Sequence, residues 1–319
     1  MTPARNRTVR FSLVASFALA VSVPFGVSAR AGDGVENKSR VGEPAPAFSL
    51  KDTAGKVHDL DLYRSNKAVV VVFIGNGCPL VKQYVPRLAE LEAEYRKQGV
   101  QFLAINSNRQ DSLEEVAVHA QGNSITFPVL KDVRNVVADQ FGARRTPEAF
   151  VIDQQGVIRY RGRIDDQFGV GYQRPAIGRR DLAAAIEEVL AGKPVSTPET
   201  EAAGCLIGRV TQPRDQGVTY SNQVARIIQN RCQVCHRPGQ VGPFTLLNYD
   251  DASGWGLMIK EVAQAKRMPP WHADPHHGKF SNDRSLTADE LATLVAWVDS
   301  GLPEGDPSDL PPPRQFPDD

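Results

Sequence analysis

Ala68-Val69-Val70-Val71-Val72-Phe73-Ile74-Gly75-Asn76-Gly77-Cys78-Pro79 is the stretch on which the fold turns. Its first seven residues are apolar and mostly β-branched, with no polar alternation, which predicts a strand buried on both faces. Gly75-Asn76-Gly77 reads as a turn, and Pro79 suits the first position of a helix. That helix carries Leu80, Tyr84, Leu88, Leu91 and Tyr95 at helical spacing and ends near Gly99. Cys78 therefore falls between a buried strand and a helix mouth. A thiol there faces unpaired backbone N–H groups and the positive end of the helix dipole, so its pKa is expected to fall. The plainer reading of Cys78 is an inert buried thiol.

Working outward, apolar runs and breakers predict a strand at 100–105 and a helix at about 112–120 capped by Asp111. A short strand at 125–130 and a helix at 135–141 stopped by Gly142 follow. A hairpin at 149–153 and 157–164 turns at Gln154-Gln155-Gly156, and an amphipathic helix at 180–190 ends at Gly192. Such alternation implies an α/β domain at 43–192, a mixed sheet flanked by helices.

The placement of Cys78 resembles the thioredoxin-like fold, specifically the redoxin group of alkyl hydroperoxide reductase/thiol-specific antioxidant proteins. The resemblance implies oxidoreductase chemistry at Cys78. Thr146-Pro147 is similar to the family's cis-proline segment, which lies opposite the active cysteine. Arg144 and Arg145 beside it either stabilise a thiolate or an anionic substrate, or are simply solvated. The departures are specific. Val81 stands where thioredoxins place a second cysteine, so Cys78 has no local dithiol partner. Gly75 and Val71 replace the threonine and proline of peroxiredoxins, removing the hydroxyl that would position a peroxide. Cys205 is the remaining candidate partner, in a linker at 193–218 that opens with a Pro/Ser/Thr-rich segment. A reversible Cys78–Cys205 disulfide, a structural one and two unpaired thiols all stay open.

The other two cysteines lie in Cys232-Gln233-Val234-Cys235-His236. C-x-x-C-H is the attachment pattern of c-type haem: two thiols form thioethers to one porphyrin edge, and His236 is held where its imidazole binds iron. A local disulfide and half of a zinc site, with His276 and His277, are the competing readings. A helix with Ser221 as cap leads into Cys232, another is expected at 256–266, and a third begins at the Thr287/Glu290 capping box and ends at Gly301. This order of parts resembles a small all-α class I cytochrome c over 219–303. That resemblance implies one covalent haem c on Cys232 and Cys235, with His236 and a thioether as iron ligands. Met268 is the preferred sixth ligand, in a loop stiffened by Pro269 and Pro270; His272 and Met258 are its rivals.

The 319 residues are 41% hydrophobic and 23% charged, with 37 basic against 37 acidic residues, so no nucleic-acid partner is implied. Arg5, Arg7 and Arg10 precede an apolar run at 11–23 that is too short to span a bilayer. Val27-Ser28-Ala29 then offers a cleavage site, so 1–29 reads as a signal peptide and the chain as periplasmic or otherwise exported. An uncleaved anchor is the minority alternative, and no membrane span is expected after cleavage. Export suits both haem attachment and disulfides. The tail at 304–319 is rich in Pro and Asp and is expected to be disordered. Taken together, these features lead to a thiol/haem oxidoreductase serving a redox partner protein or a small thiol or peroxide. The alternatives are a monohaem electron carrier with a non-catalytic redoxin docking domain, a factor reducing other proteins' cysteines, and a zinc module.

Overall fold

A computed structural model describes residues 1–2, 41–214, 217–271, 273–274, 276 and onward to 316. The stretch expected to be a signal peptide, apart from residues 1–2, and His272 lie outside the described residues. The strands in the first half are β1 (Ser49–Lys51), β2 (Val57–Asp59), β3 (Ala68–Ile74), β4 (Val100–Asn106), β5 (Val129–Lys131), β6 (Arg145–Thr146), β7 (Glu148–Asp153), β8 (Ile158–Gly162), β9 (Phe168–Gly169) and β10 (Tyr172–Gln173). Helices α1 (Pro79–Arg96), α2 (Leu113–Gly122), α3 (Val136–Phe141) and α4 (Asp181–Leu190) alternate with them. The five-stranded sheet runs β5-β4-β3-β7-β8. β3 pairs parallel to β4 and antiparallel to β7, so Val71 sits between Leu103 and Phe150. The fold is thioredoxin-like, a mixed sheet with helices on both faces.

The absence of polar alternation in β3 has its expected cause. Ala68, Val70, Val72 and Ile74 join the cluster under α1 and α4, while Val69, Val71 and Phe73 join the cluster with Phe141 of α3. Phe150 sits edge-on to both Phe73 and Phe141, at 5.7 and 5.3 Å. It is wholly buried. Phe150→Ala is therefore expected to cost about 3–5 kcal/mol, read from the denaturant midpoint at unchanged slope.

Two expected caps are corrected. The N-cap of α2 is Ser112, whose Oγ accepts from Glu115 N at 3.2 Å while Glu115 Oε2 accepts from Ser112 N at 2.8 Å. Asp111 instead turns inward. Farther on, Thr219 rather than Ser221 caps the helical run that ends at Cys232, accepting from Asn222 N at 3.3 Å.

The second half begins with β11 (Cys205–Leu206), which pairs antiparallel with β6 rather than lying in a free linker. A helical run follows, α-helical at Ala225–Ile227 (α5) and wound more widely, in π fashion, at Tyr220–Val224 and Ile228–Cys232. Helices α6 (Tyr249–Gly254), α7 (Gly256–Gln264) and α8 (Ala288–Asp299) complete it. The Thr287/Glu290 capping box of α8 is present. Tyr220, Trp255 and Trp297 share one apolar cluster with α1 and α4, so the second half packs on the first. The tail described to residue 316 is also engaged. Arg314 donates to Gln229 O at 2.9 Å, and the Arg237 guanidinium lies 4.1 Å from the Phe316 ring centroid. Among the described residues no helix is long and apolar enough to cross a membrane.

Candidate active site

Cys78 is the N-cap of α1 with Pro79 at the first helical position. The turn before it is held by Asp111, whose Oδ2 accepts from Asn76 N at 3.0 Å, Asn106 Nδ2 at 2.7 Å and Asn108 Nδ2 at 3.1 Å. Lys131 Nζ braces the same network from Asn106 Oδ1 at 3.0 Å and Asn108 O at 2.6 Å. A Cβ at Gly75 would collide with Asn108 Nδ2. Glycine stands at the peroxiredoxin threonine position because the asparagine occupies that space.

The Thr146–Pro147 peptide is cis and lies against Cys78, whose Sγ donates to Thr146 O at 3.0 Å. In the β6–β11 register Cys205 is the partner of Thr146. That pairing brings Cys205 beside Cys78, and both are free, buried thiols in this structure. Gly204, with φ +150°, makes the approach: a Cβ there would overlap Thr146 O. Arg145 does not turn to Cys78. Its guanidinium donates to Gly204 O at 2.7 Å and pairs with Glu261 of α7 at 2.9 Å, fastening β11 in place.

Burial pushes the Cys78 thiol up, but donors from Cys205, the Val81 N–H and the Thr146 hydroxyl outweigh it and bring the pKa down to about 6. The Thr146 hydroxyl is buried and unpartnered while Cys78 is a thiol, so its O–H is available to the thiolate. Cys205 moves the other way: its hydrogen bond to Cys78 is the largest cause, and burial adds to it. A depressed pKa means thiolate above it and thiol below it. The rate of iodoacetamide reaction at Cys78 is therefore expected to rise through pH 6 and level off above pH 7, with Cys205 unreactive throughout, as read by peptide mass spectrometry.

Residues 41–161 match the AhpC/TSA family. Thiol-disulfide oxidoreductase ResA of Geobacillus thermodenitrificans is 34% identical over 119 residues, 37% of this chain and 67% of that protein. The chain belongs to the AhpC/TSA family. Thiol-disulfide oxidoreductase ResA of Halalkalibacterium halodurans is 32% identical over 120 residues, 38% of this chain and 66% of that protein. A solved hypothetical protein from Sinorhizobium meliloti 1021 is 34% identical, with TM-score 0.49, over 54% of this chain and 96% of that chain. As an AhpC/TSA protein with relatives of this kind, the chain is an oxidoreductase, and its redox partner is a thiol compound or another redox protein. The family match ends before Cys205, so the pairing of Cys205 with Cys78 rests on the β6–β11 geometry.

The C-x-x-C-H residues close a tight turn at the end of the helical run: Cys235 N and His236 N both donate to Cys232 O, at 3.1 and 3.0 Å. His236 Nδ1 lies 3.1 Å from Phe244 O, the contact that fixes ring orientation in a metal-binding imidazole and leaves Nε2 as the ligating atom. Burial lowers the His236 pKa, favouring the neutral ring. Met268 is 42% exposed and lines a cavity of about 610 Å³ with Trp271, Phe280, Leu286 and Leu291. The cavity wall includes Asp283 and Ser285, and between them Arg284 reaches Cys235 Sγ at 3.8 Å. The wall mixes these apolar side chains with Lys266, Asp274 and Lys279, and of the candidate haem residues only Met268 is part of it. By chemistry alone, two thiols, an imidazole and a thioether at Cys232, Cys235, His236 and Met268 are the donor types a c-type haem takes. Met258 lies in α7, packed against the apolar cluster. His276 and His277 are exposed beside Asp274, and no three zinc-type donors converge among the described residues.

Proposed function

We propose that this chain is an exported thiol-disulfide oxidoreductase that exchanges electrons between the Cys78/Cys205 pair and a c-type haem on Cys232 and Cys235. The observation that carries the thiol half is the β6–β11 pairing, which sets a buried, acidified thiol against a second thiol. The names of the relatives support disulfide chemistry over peroxide reduction, and so does Gly75 in place of a peroxide-positioning hydroxyl. Cys78 is only 1% exposed, against Cys205 and Thr146, which favours a small thiol or disulfide over a folded protein as its direct reactant.

In the haem half, Cys232 and Cys235 would supply the thioethers, His236 would bind iron through Nε2 while Phe244 O holds its Nδ1 proton, and Met268 would supply a second iron ligand. When bound, the haem supplies one-electron transfer, and thioether ligation raises its potential. Cys78 attacks a disulfide as thiolate, and Cys205 resolves the mixed disulfide.

Protein made with a haem-attachment system and freed of its leader tests the haem half. The expected result is a mass increased by one haem, colour that survives denaturation, and a sulfur-to-iron charge-transfer band in the oxidised spectrum. Cys232→Ser/Cys235→Ser loses the covalent mass, and Met268→Ala keeps it but loses the band. Colourless protein of unmodified polypeptide mass would remove the haem from the reading.

A further inference from the structure

The turn that carries Cys78 is touched by an aromatic pair from the second half. A Cβ at Gly77 would lie 2.6 Å from Trp255 Cζ2 and 3.5 Å from Phe244 Cβ, so only glycine admits the indole there. Trp255 is 4% exposed, and its ring stacks on Phe244 with centroids 3.8 Å apart and planes 9° from parallel. Phe244 in turn lies 4.7 Å from the His236 ring, centroid to centroid, and its carbonyl holds His236 Nδ1. The result is a continuous contact from the Cys78 turn through two π-systems to His236.

Core filling alone does not account for this geometry. Aromatic pairs that merely fill space settle edge-on or offset, with centroids about 4.5–7 Å apart. The other Phe, Tyr and Trp pairs described here obey that rule, tilted or edge-on between 5.1 and 6.2 Å. The Trp255–Phe244 pair is the exception, stacked and closer than the rest, and it lies between the two centres that must exchange electrons. Tunnelling falls off steeply with through-space gaps, so contact through π-systems is the arrangement that electron passage needs.

We propose that Trp255 and Phe244 are the path by which electrons pass between the Cys78/Cys205 pair and iron held at His236; this rests on the haem reading above. The path also accommodates a two-electron couple and a one-electron acceptor. The Cys78 thiolate and the Cys205 thiol first give up one electron and the Cys205 proton to leave a disulfide radical anion, with the S–S bond half formed. A second electron then leaves and the S–S bond is complete. Both electrons cross Trp255 and Phe244, and the ferric acceptor at His236 is emptied between the two steps by an external one-electron oxidant, ferricyanide in the test below.

The test uses the full chain as wild type, Trp255→Leu, Trp255→Phe and Phe244→Leu. The first readout needs no haem: an excited indole donates an electron to a nearby disulfide, and Trp255 lies against the turn that carries Cys78, so oxidising the pair should quench emission. Trp255→Phe should abolish that response although Trp271 and Trp297 remain. In the second, fully reduced haem-bearing protein is mixed anaerobically with two equivalents of ferricyanide, and re-reduction of the iron is followed at several protein concentrations. The expected rate is concentration-independent in wild type and at least ten-fold lower in Trp255→Leu. The Trp255→Phe rate should lie between them, and the Cys78–Cys205 disulfide should still form in all variants. Wild-type transfer in Trp255→Leu, or emission indifferent to the disulfide, overturns the path while leaving the haem reading intact. Colourless protein overturns the haem reading and the path with it.

Discussion

Cys78→Ser protein should show no thiol-disulfide turnover at all, whereas Cys205→Ser should stop one step later, as a mixed disulfide on Cys78. The order follows from which thiol is ionised. Cys78 has its proton drawn off by Cys205, Val81 N–H and the Thr146 hydroxyl, and it is the attacking sulfur. Cys205 is held protonated chiefly because it donates to Cys78. Once Cys78 is tied up in a mixed disulfide, its negative charge is gone and that cause disappears. Arg145, which favours the Cys205 thiolate, then acts unopposed by Cys78. Cys205 is thereby activated only after Cys78 has reacted. Mass spectrometry of each variant after exposure to a small disulfide reads the result directly. Cys205→Ser should carry one adduct on Cys78, Cys78→Ser none, and wild type an internal disulfide with no adduct.

The second large effect is expected at a residue with no chemistry of its own. Gly204→Ala should separate the two sulfurs, because a Cβ at φ +150° would overlap the carbonyl oxygen of Thr146. Backbone strain of this kind costs about 1–3 kcal/mol, and the overlap adds to it. β11 relieves both by leaving β6, and Cys205 leaves with it. Cys78 then loses the largest influence lowering its pKa. Its alkylation profile should move up from about 6 toward the ordinary thiol range near 8.5. Turnover should fall to the level of Cys205→Ser while mixed-disulfide formation survives. Gly122→Ala is the control: a Cβ there meets nothing within 4 Å, and neither quantity should change.

What the sequence revealed, and what it hid, divides along the range of the interactions. β3, the turn and Cys78 were legible because a seven-residue apolar run, two glycines and a proline state them locally. The α8 capping box was legible for the same reason. The α2 cap was not, since Asp111 and Ser112 are adjacent and equally able to cap. Only Asn76, Asn106 and Asn108, brought together by the fold, draw Asp111 inward. Cys205 was expected in a linker because the preceding segment is rich in Pro, Ser and Thr, and its strand is two residues long, paired 59 positions away. The tail read as disordered from its composition, yet Arg226 donates to Asp309 O, Arg237 lies over the Phe316 ring, and the tail's own Arg314 donates to Gln229 O. Trp255 carried no signal of its own. The clue lay in Gly77, a residue whose missing side chain marks where another part of the chain comes close.

The most direct test of the Cys78–Cys205 couple is equilibration across a graded series of thiol/disulfide buffers, acid quenching, and alkylation of the unfolded chain with peptide mapping. The account predicts that Cys78 and Cys205 become protected together, in one two-electron transition, with a cross-linked peptide joining them. Independent titration of the two residues, or recovery of both fully alkylated from protein prepared without reductant, would contradict it.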